Sequence, residues 1–308
     1  MMTSQYRPLF KTPTIIIAAI AALTSTITMK SAAQAITLNL SVENLGPENG
    51  AVLSPVWFGL HDGSFDTFNP GSPASSAIEA IAEDGITGLE FNTPGFSFDN
   101  TPFEGLNPNN TPIPLSSTIA NLFTQSSATT NSVIQGKIFA SALGFFPGDT
   151  AAVTINFDDS LIANNRFFSY VSMLIPTNDG FISNDEPIEI FDAEGNFIGA
   201  DFIVLGSDVW DAGTEINDES LSSLPFSLEI LAQGEEENGV IEKFPGFTGD
   251  EIFSFNPAFT NADFTVEGYQ LARIRVTQVS KSVPEPVTTI GLFTLGGLFM
   301  LRRRVSRT

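Results

Sequence analysis

The sequence predicts an all-β protein, an antiparallel β-sandwich with long loops and one or two short helices. Two observations carry this expectation. In several segments of strand length, apolar and β-branched residues alternate with polar ones or form short apolar runs. Between them lie loops rich in Asn, Pro, Gly and Asp, with little of helical period. The 28 phenylalanines supply material for a large core, so the acidic composition does not signal a disordered tail.

The elements follow in chain order. Residues 36–45 (ITLNLSVENL) alternate, and residues 51–60 (AVLSPVWFGL) form an apolar run. Residues 75–83 (SSAIEAIAE) place serine caps ahead of an apolar face and predict a helix. Residues 118–123 predict a second short helical turn, after a long loop at 92–114. Residues 150–157 (TAAVTINF) and 166–175 (RFFSYVSMLI) predict strands, the second a buried one. Residues 188–191 and 197–205 flank Asp192-Ala193-Glu194-Gly195-Asn196, which predicts a hairpin, because Gly and Asn tolerate positive φ. Residues 226–231 and 270–279 (QLARIRVTQV) complete the strands, and the acidic 234–238 stretch is a solvated loop.

The ends of the chain differ from its middle. Arg7 and Lys11 precede a short apolar run at 14–23, and Ala33-Gln34-Ala35 has the small-x-small pattern of a cleavage site. Residues 1–35 therefore read as a removable signal peptide, with an uncleaved N-terminal anchor as the alternative. Residues 287–301 are apolar and uncharged, followed by Arg302, Arg303, Arg304 and Arg307. As a helix this stretch reaches about 22 Å, short of a hydrocarbon core of about 30 Å. The arginines belong on the cytoplasmic side, leaving the body of the chain outside.

Residues 36–280 hold all 35 acidic side chains except Glu285, against Lys137, Arg166, Lys243, Arg273 and Arg275. Nucleic acid is excluded as a partner, because its recognition needs clustered lysine and arginine. Such charge attracts cations instead. The chain has no cysteine and one histidine, His61, which leaves cysteine nucleophiles and histidine-rich zinc sites without material. No nucleophile elbow, P-loop or dinucleotide fingerprint occurs. His61 reads as a general base or ligand, or as a histidine fixing a loop by hydrogen bonds. Trp57 and Trp210 read as core or as sugar-stacking platforms.

Two segments, 176–180 (PTNDG) and 210–215 (WDAGTE), set a carboxylate close to a glycine after an apolar strand. Carboxylates beside carbonyls free to turn inward are the donors that Ca²⁺ prefers. The alternative is that these acids cap turns.

The tail resembles a PEP-CTERM sorting signal: Val283-Pro284-Glu285-Pro286, an apolar stretch with glycines, then arginines. That resemblance implies recognition of residues 281–308 by an exosortase-type membrane enzyme. The body resembles the spondin N-terminal domain family. The resemblance rests on residues 41–75, 167–184 (FFSYVSMLIPTNDGFISN), 191–202 (FDAEGNFIGADF), 209–218 (VWDAGTEIND) and 261–276. It implies a C2-like sandwich over residues 36–280, an adhesion or matrix role without enzymatic activity, and a Ca²⁺ site on Asp179, Asp211 and Glu215. Glu215 departs from the aspartate of the family pattern and carries its carboxylate one methylene further out.

The expectation is thus an exported, non-enzymatic adhesion or matrix module that binds Ca²⁺, sorted to the cell surface or exopolysaccharide. Its partners would be an extracellular polysaccharide or a surface protein, and it would touch membrane only through residues 287–301, transiently or as a permanent anchor. The competing expectations are a carbohydrate-active enzyme using paired carboxylates and a structural surface protein with no ligand.

Overall fold

The computed structural model describes residues 35–89, 115–126, 133–141, 143–217, 234–249, 253–254 and 256–279. The early strands are β1 (Ala35–Asn44), β2 (Val52–Leu53), β3 (Val56–His61), β4 (Ile134–Ile138), β5 (Thr150–Asp158) and β6 (Phe167–Ile175). The later ones are β7 (Gly180–Ser183), β8 (Ile188–Glu189), β9 (Ala200–Leu205), β10 (Trp210–Asp211), β11 (Glu242–Lys243) and β12 (Gln270–Gln278). Helices α1 (Ser76–Asp84) and α2 (Ile119–Gln125) fall between β3 and β4.

Two antiparallel sheets form a β-sandwich. The smaller has the order β5-β1-β12-β9, and the larger runs β11-β10-β7-β6-β3-β4, with β2 and β8 also pairing with β6. Alternation explains β1: Leu38, Leu40 and Val42 are buried, while Asn39, Ser41 and Glu43 face outward. In register, Leu40 faces Val153 on β5 and Val276 on β12, so one apolar row crosses the small sheet. That row meets Phe58, Leu60, Phe168 and Tyr170 of the large sheet to make the main core.

The large sheet is covered on its other face as well. Trp57, Val171 and Phe181 pack there against Ile78 and Ile81 of α1 and Ile119 and Phe123 of α2. This double burial is why β3 and most of β6 read as apolar runs without alternation. The Ser75 hydroxyl caps α1 by accepting from the Ile78 N–H, and Gly85, at φ 66°, ends it with bonds from its own N–H and that of Ile86 to Ile81 and Ala80.

Two expectations need correction. Residues 51–60 form two strands, because Pro55 has no N–H to give a ladder and Ser54 occupies the break. The Ser54 hydroxyl accepts from the Met173 N–H at 3.0 Å in place of a strand neighbour. The turn at 192–196 forms, with Asp192 accepting from the N–H groups of Glu194 and Asn196, and its arms pair antiparallel at Phe191 and Phe197, but the hairpin is shorter than expected. β8 pairs with β6 in the large sheet and β9 with β12 in the small one, so this segment crosses between the sheets.

The expected strand at 226–231, the loop at 92–114 and the segments 1–34 and 281–308 lie outside the described residues. Among the described residues, no helix is long and apolar enough to cross a membrane.

Candidate metal centre

Asp179 leads into β7 and Asp211 closes β10, and the antiparallel pairing of these strands sets Asp211 opposite Gly180. All three expected ligands are buried: Asp179 is 0% exposed, Asp211 3% and Glu215 5%. Burial of carboxylates at this depth requires compensation by hydrogen bonds or opposite charge.

Hydrogen bonds supply part of it. Asp179 Oδ2 accepts from the Thr214 N–H at 2.8 Å, the Thr214 hydroxyl at 3.1 Å and the Glu215 N–H at 3.1 Å. Asp211 Oδ1 accepts from the Gly213 N–H at 2.7 Å, and its Oδ2 from the Asn217 amide. The turn demands glycine at 213, which has φ 66° and lies where a Cβ would stand 2.7 Å from the backbone of Val240. Glu215 Oε1 accepts from the Gly234 N–H at 2.8 Å. A Cβ at 234 would sit 2.2 Å from the Glu215 carboxyl carbon, so glycine permits this approach.

Asp179 Oδ1 is different. It is buried and has no hydrogen-bond partner among the described residues. Burial first, and then the neighbouring Asp211, push the Asp179 carboxyl up to about 6. Asp211 is raised by its own burial, against the pull of Asn217 and Gly213.

More acid converges from elements far apart in sequence. Half-buried Glu83, near the end of α1, is pushed up to about 8 by burial and by Glu215, against a hydrogen bond with Thr214. Asp84 rises to about 6 through burial and Glu79. Glu237 is raised by burial, then by Asp211 and Glu242. Glu83 and Asp84 also stand at the negative end of the α1 dipole, with no base in its last turn.

Positive charge is engaged elsewhere. Among the described residues the ion pairs are Arg166–Glu189, Arg273–Asp201 and Arg275–Glu43. Lys243 lies 3.6 Å over the Trp210 ring and donates to the Asp208 carbonyl at 3.3 Å. Lys137 donates to the Leu89 carbonyl.

The structure thus brings Asp179 and Asp211 side by side and ties Glu215 to Asp179 through its backbone, while the Glu215 carboxylate holds Gly234. Among the described residues, no three His, Asp or Glu side chains form a metal-holding group. The donors at hand are hard oxygens, and the unpartnered Oδ1 lies among them. Sequence reasoning missed Glu83, whose signal was an acid pair in the last turn of a helix.

The other candidates are structural. Nδ1 of His61 accepts from the Gly63 N–H at 3.1 Å, and Nε2 meets the Ser169 hydroxyl at 3.1 Å, so this histidine fixes its loop. Trp57 is fully buried, and Trp210 is only 8% exposed beneath Lys243. No family model matches the chain, and no curated protein matches it.

Proposed function

We propose that the chain is an exported, non-enzymatic adhesion or matrix module, stabilised by Ca²⁺ at Asp179 and Asp211 and sorted through its C-terminal tail. The observation that carries the metal reading is the buried, unpartnered Oδ1 of Asp179 beside a second buried carboxylate, with no cationic side chain among the described residues ion-paired to either. Ca²⁺ supplies the missing charge and takes the rest of its oxygen ligands from carbonyls, amides or water. It would tie the loops after β6 and β10 together and rigidify that end of the sandwich. Glu215 supports the site by holding the 234 turn in place.

The spondin-like blocks that contain Asp179 and Asp211 support the adhesion role, and the tail supports a surface destination through an exosortase-type enzyme. An extracellular polysaccharide or surface protein is the partner this setting favours.

Calorimetric titration of the purified chain with Ca²⁺, and melting with and without EDTA, test the reading. Binding heat and a higher melting temperature in Ca²⁺, both lost in Asp179→Asn, are expected. No heat and no EDTA effect would leave a structural surface protein without a ligand.

The enzyme reading gains one observation: Glu83 is held up to about 8, the state of a general acid. Glycan hydrolysis abolished by Glu83→Gln would establish it.

A further inference from the structure

The ends of the two sheets are not equally protected. β5, β9, β4 and β11 stand at those ends. An edge strand presents unpaired N–H and C=O groups, and folded proteins blunt it with charge, proline, bulges or shortness. β11 is two residues long and both are charged. β4 carries Gly136 and Lys137. β9 carries Asp201, locked to Arg273 by two bonds of 2.7 Å, and its pairing with β12 has a register shift.

β5 has none of these devices. It pairs with β1 without a register break from Thr150 to Asp158, and residues 150–157 carry no charge, proline or glycine. In a chain of net charge −22 this is a long neutral edge. Its core-facing residues Ala151, Val153 and Ile155 are only partly buried, as is Ile134 on neighbouring β4. Its outward row, Thr150, Ala152, Thr154 and Asn156, is exposed, and Asn156 already accepts from the Thr37 hydroxyl across the β1 ladder at 2.7 Å.

We infer that β5 is a homodimer edge, pairing antiparallel with β5 of a second copy so that the two small sheets run on as one. The sequence of β5 is self-complementary about Val153. Val153 then faces its own copy, Ala151 faces Ile155, Ala152 faces Thr154, and Thr150 faces Asn156. Apolar residues meet on the inner face, threonine and asparagine on the outer. Charge is compatible with this register: Asp149 faces Phe157 and Asp158 faces Gly148, so no carboxylate directly faces another. Moving the axis to Thr154 would set Asp149 against Asp159. The remaining acids of the two bodies repel, so association tightens as salt screens them.

Sedimentation velocity on the purified chain over a concentration series tests the inference. A reversible dimer is expected, tighter at higher ionic strength. The exposed-site double variant Ala152→Glu, Thr154→Glu should weaken it by roughly tenfold or more through cross-strand like charge. Mixing A152E with T154K should restore dimer, because those positions face each other. The chain has no cysteine of its own, so V153C should give a disulfide-linked dimer under mild oxidation while I203C on β9 does not. A monomer at every concentration, a dimer indifferent to the glutamates, or equal crosslinking from both edges would overturn the proposal.

Discussion

His61 and Asp179 are both fully buried polar side chains at strand ends of the large sheet, and they solve burial differently. The two ring nitrogens of His61 have partners, and the rings of Phe65, Phe123 and Phe167 surround it. Burial lowers it to about 4, against the pull of Asp62, so the ring is neutral and self-sufficient at neutral pH. Asp179 satisfies one oxygen three times over and leaves the other bare beside Asp211. A neutral group needs only hydrogen bonds in the interior, whereas a pair of carboxylates also needs countercharge. The histidine corner is finished by the protein alone, whereas the aspartate corner keeps a buried oxygen that no described group satisfies.

The largest effect should come from separating the corners. Phe123→Ala removes a fully buried ring that packs on His61 and Trp57 and should cost about 3–5 kcal/mol in urea unfolding. Ca²⁺ affinity should survive it wherever the variant remains folded; a parallel loss would mean that the corners are coupled through the helix layer.

The pH dependence should hold two opposed contributions, about 3 kcal/mol each from His61 and Asp179, which largely cancel in the wild type because their windows overlap. The unfolded histidine takes a proton near 6.5 that the folded one refuses until about 4, so the His61 contribution falls as pH drops through that window. The folded Asp179 keeps its proton to about 6, while the unfolded one releases it near 3.8. Its contribution falls as pH rises from 3.8 to 6, and Glu83 extends that fall to about 8. Melts in EDTA should therefore unmask the Asp179 contribution in His61→Gln, with stability falling as pH rises from 3.8 to 6, and the His61 contribution in Asp179→Asn, with stability falling as pH drops from 6.5 to 4, while Ca²⁺ should suppress the Asp179 contribution in the wild type.

At pH 7 in EDTA, Asp179→Asn should stabilise the fold by about 1–2 kcal/mol, since it removes an uncompensated buried charge and keeps the acceptor. The sign should reverse in Ca²⁺. A destabilising effect in EDTA would mean that the buried carboxylate is already compensated. Glu215→Asp should have the smallest effect, about 1 kcal/mol from losing the bond to the Gly234 N–H, with a modest change in Ca²⁺ affinity.

Long elements with their own pattern were legible before the structure. β1, β5, β6 and β12 fall where alternation or apolar runs place them, and α1 starts at its serine cap. β4, β7, β10 and β11 were missed, because strands of two to five residues carry too little period and are defined by the partner beside them. Asp179 and Asp211 were legible as acids beside glycine. Their adjacency needed the β7–β10 pairing, and the approach of Glu83 needed α1 to pack over the large sheet.

By itself, the sequence determined the all-β class, the strongest strands, the acidic balance and the scarcity of catalytic side chains, since composition and period-two alternation are written locally along the chain. Tertiary structure alone decided that 188–205 crosses between sheets and that, among the described residues, β5 is left as an unblunted edge and a carboxylate oxygen lies buried without a partner. Those outcomes depend on which backbone edges find each other and how much water is excluded when they do. No single segment carries that information.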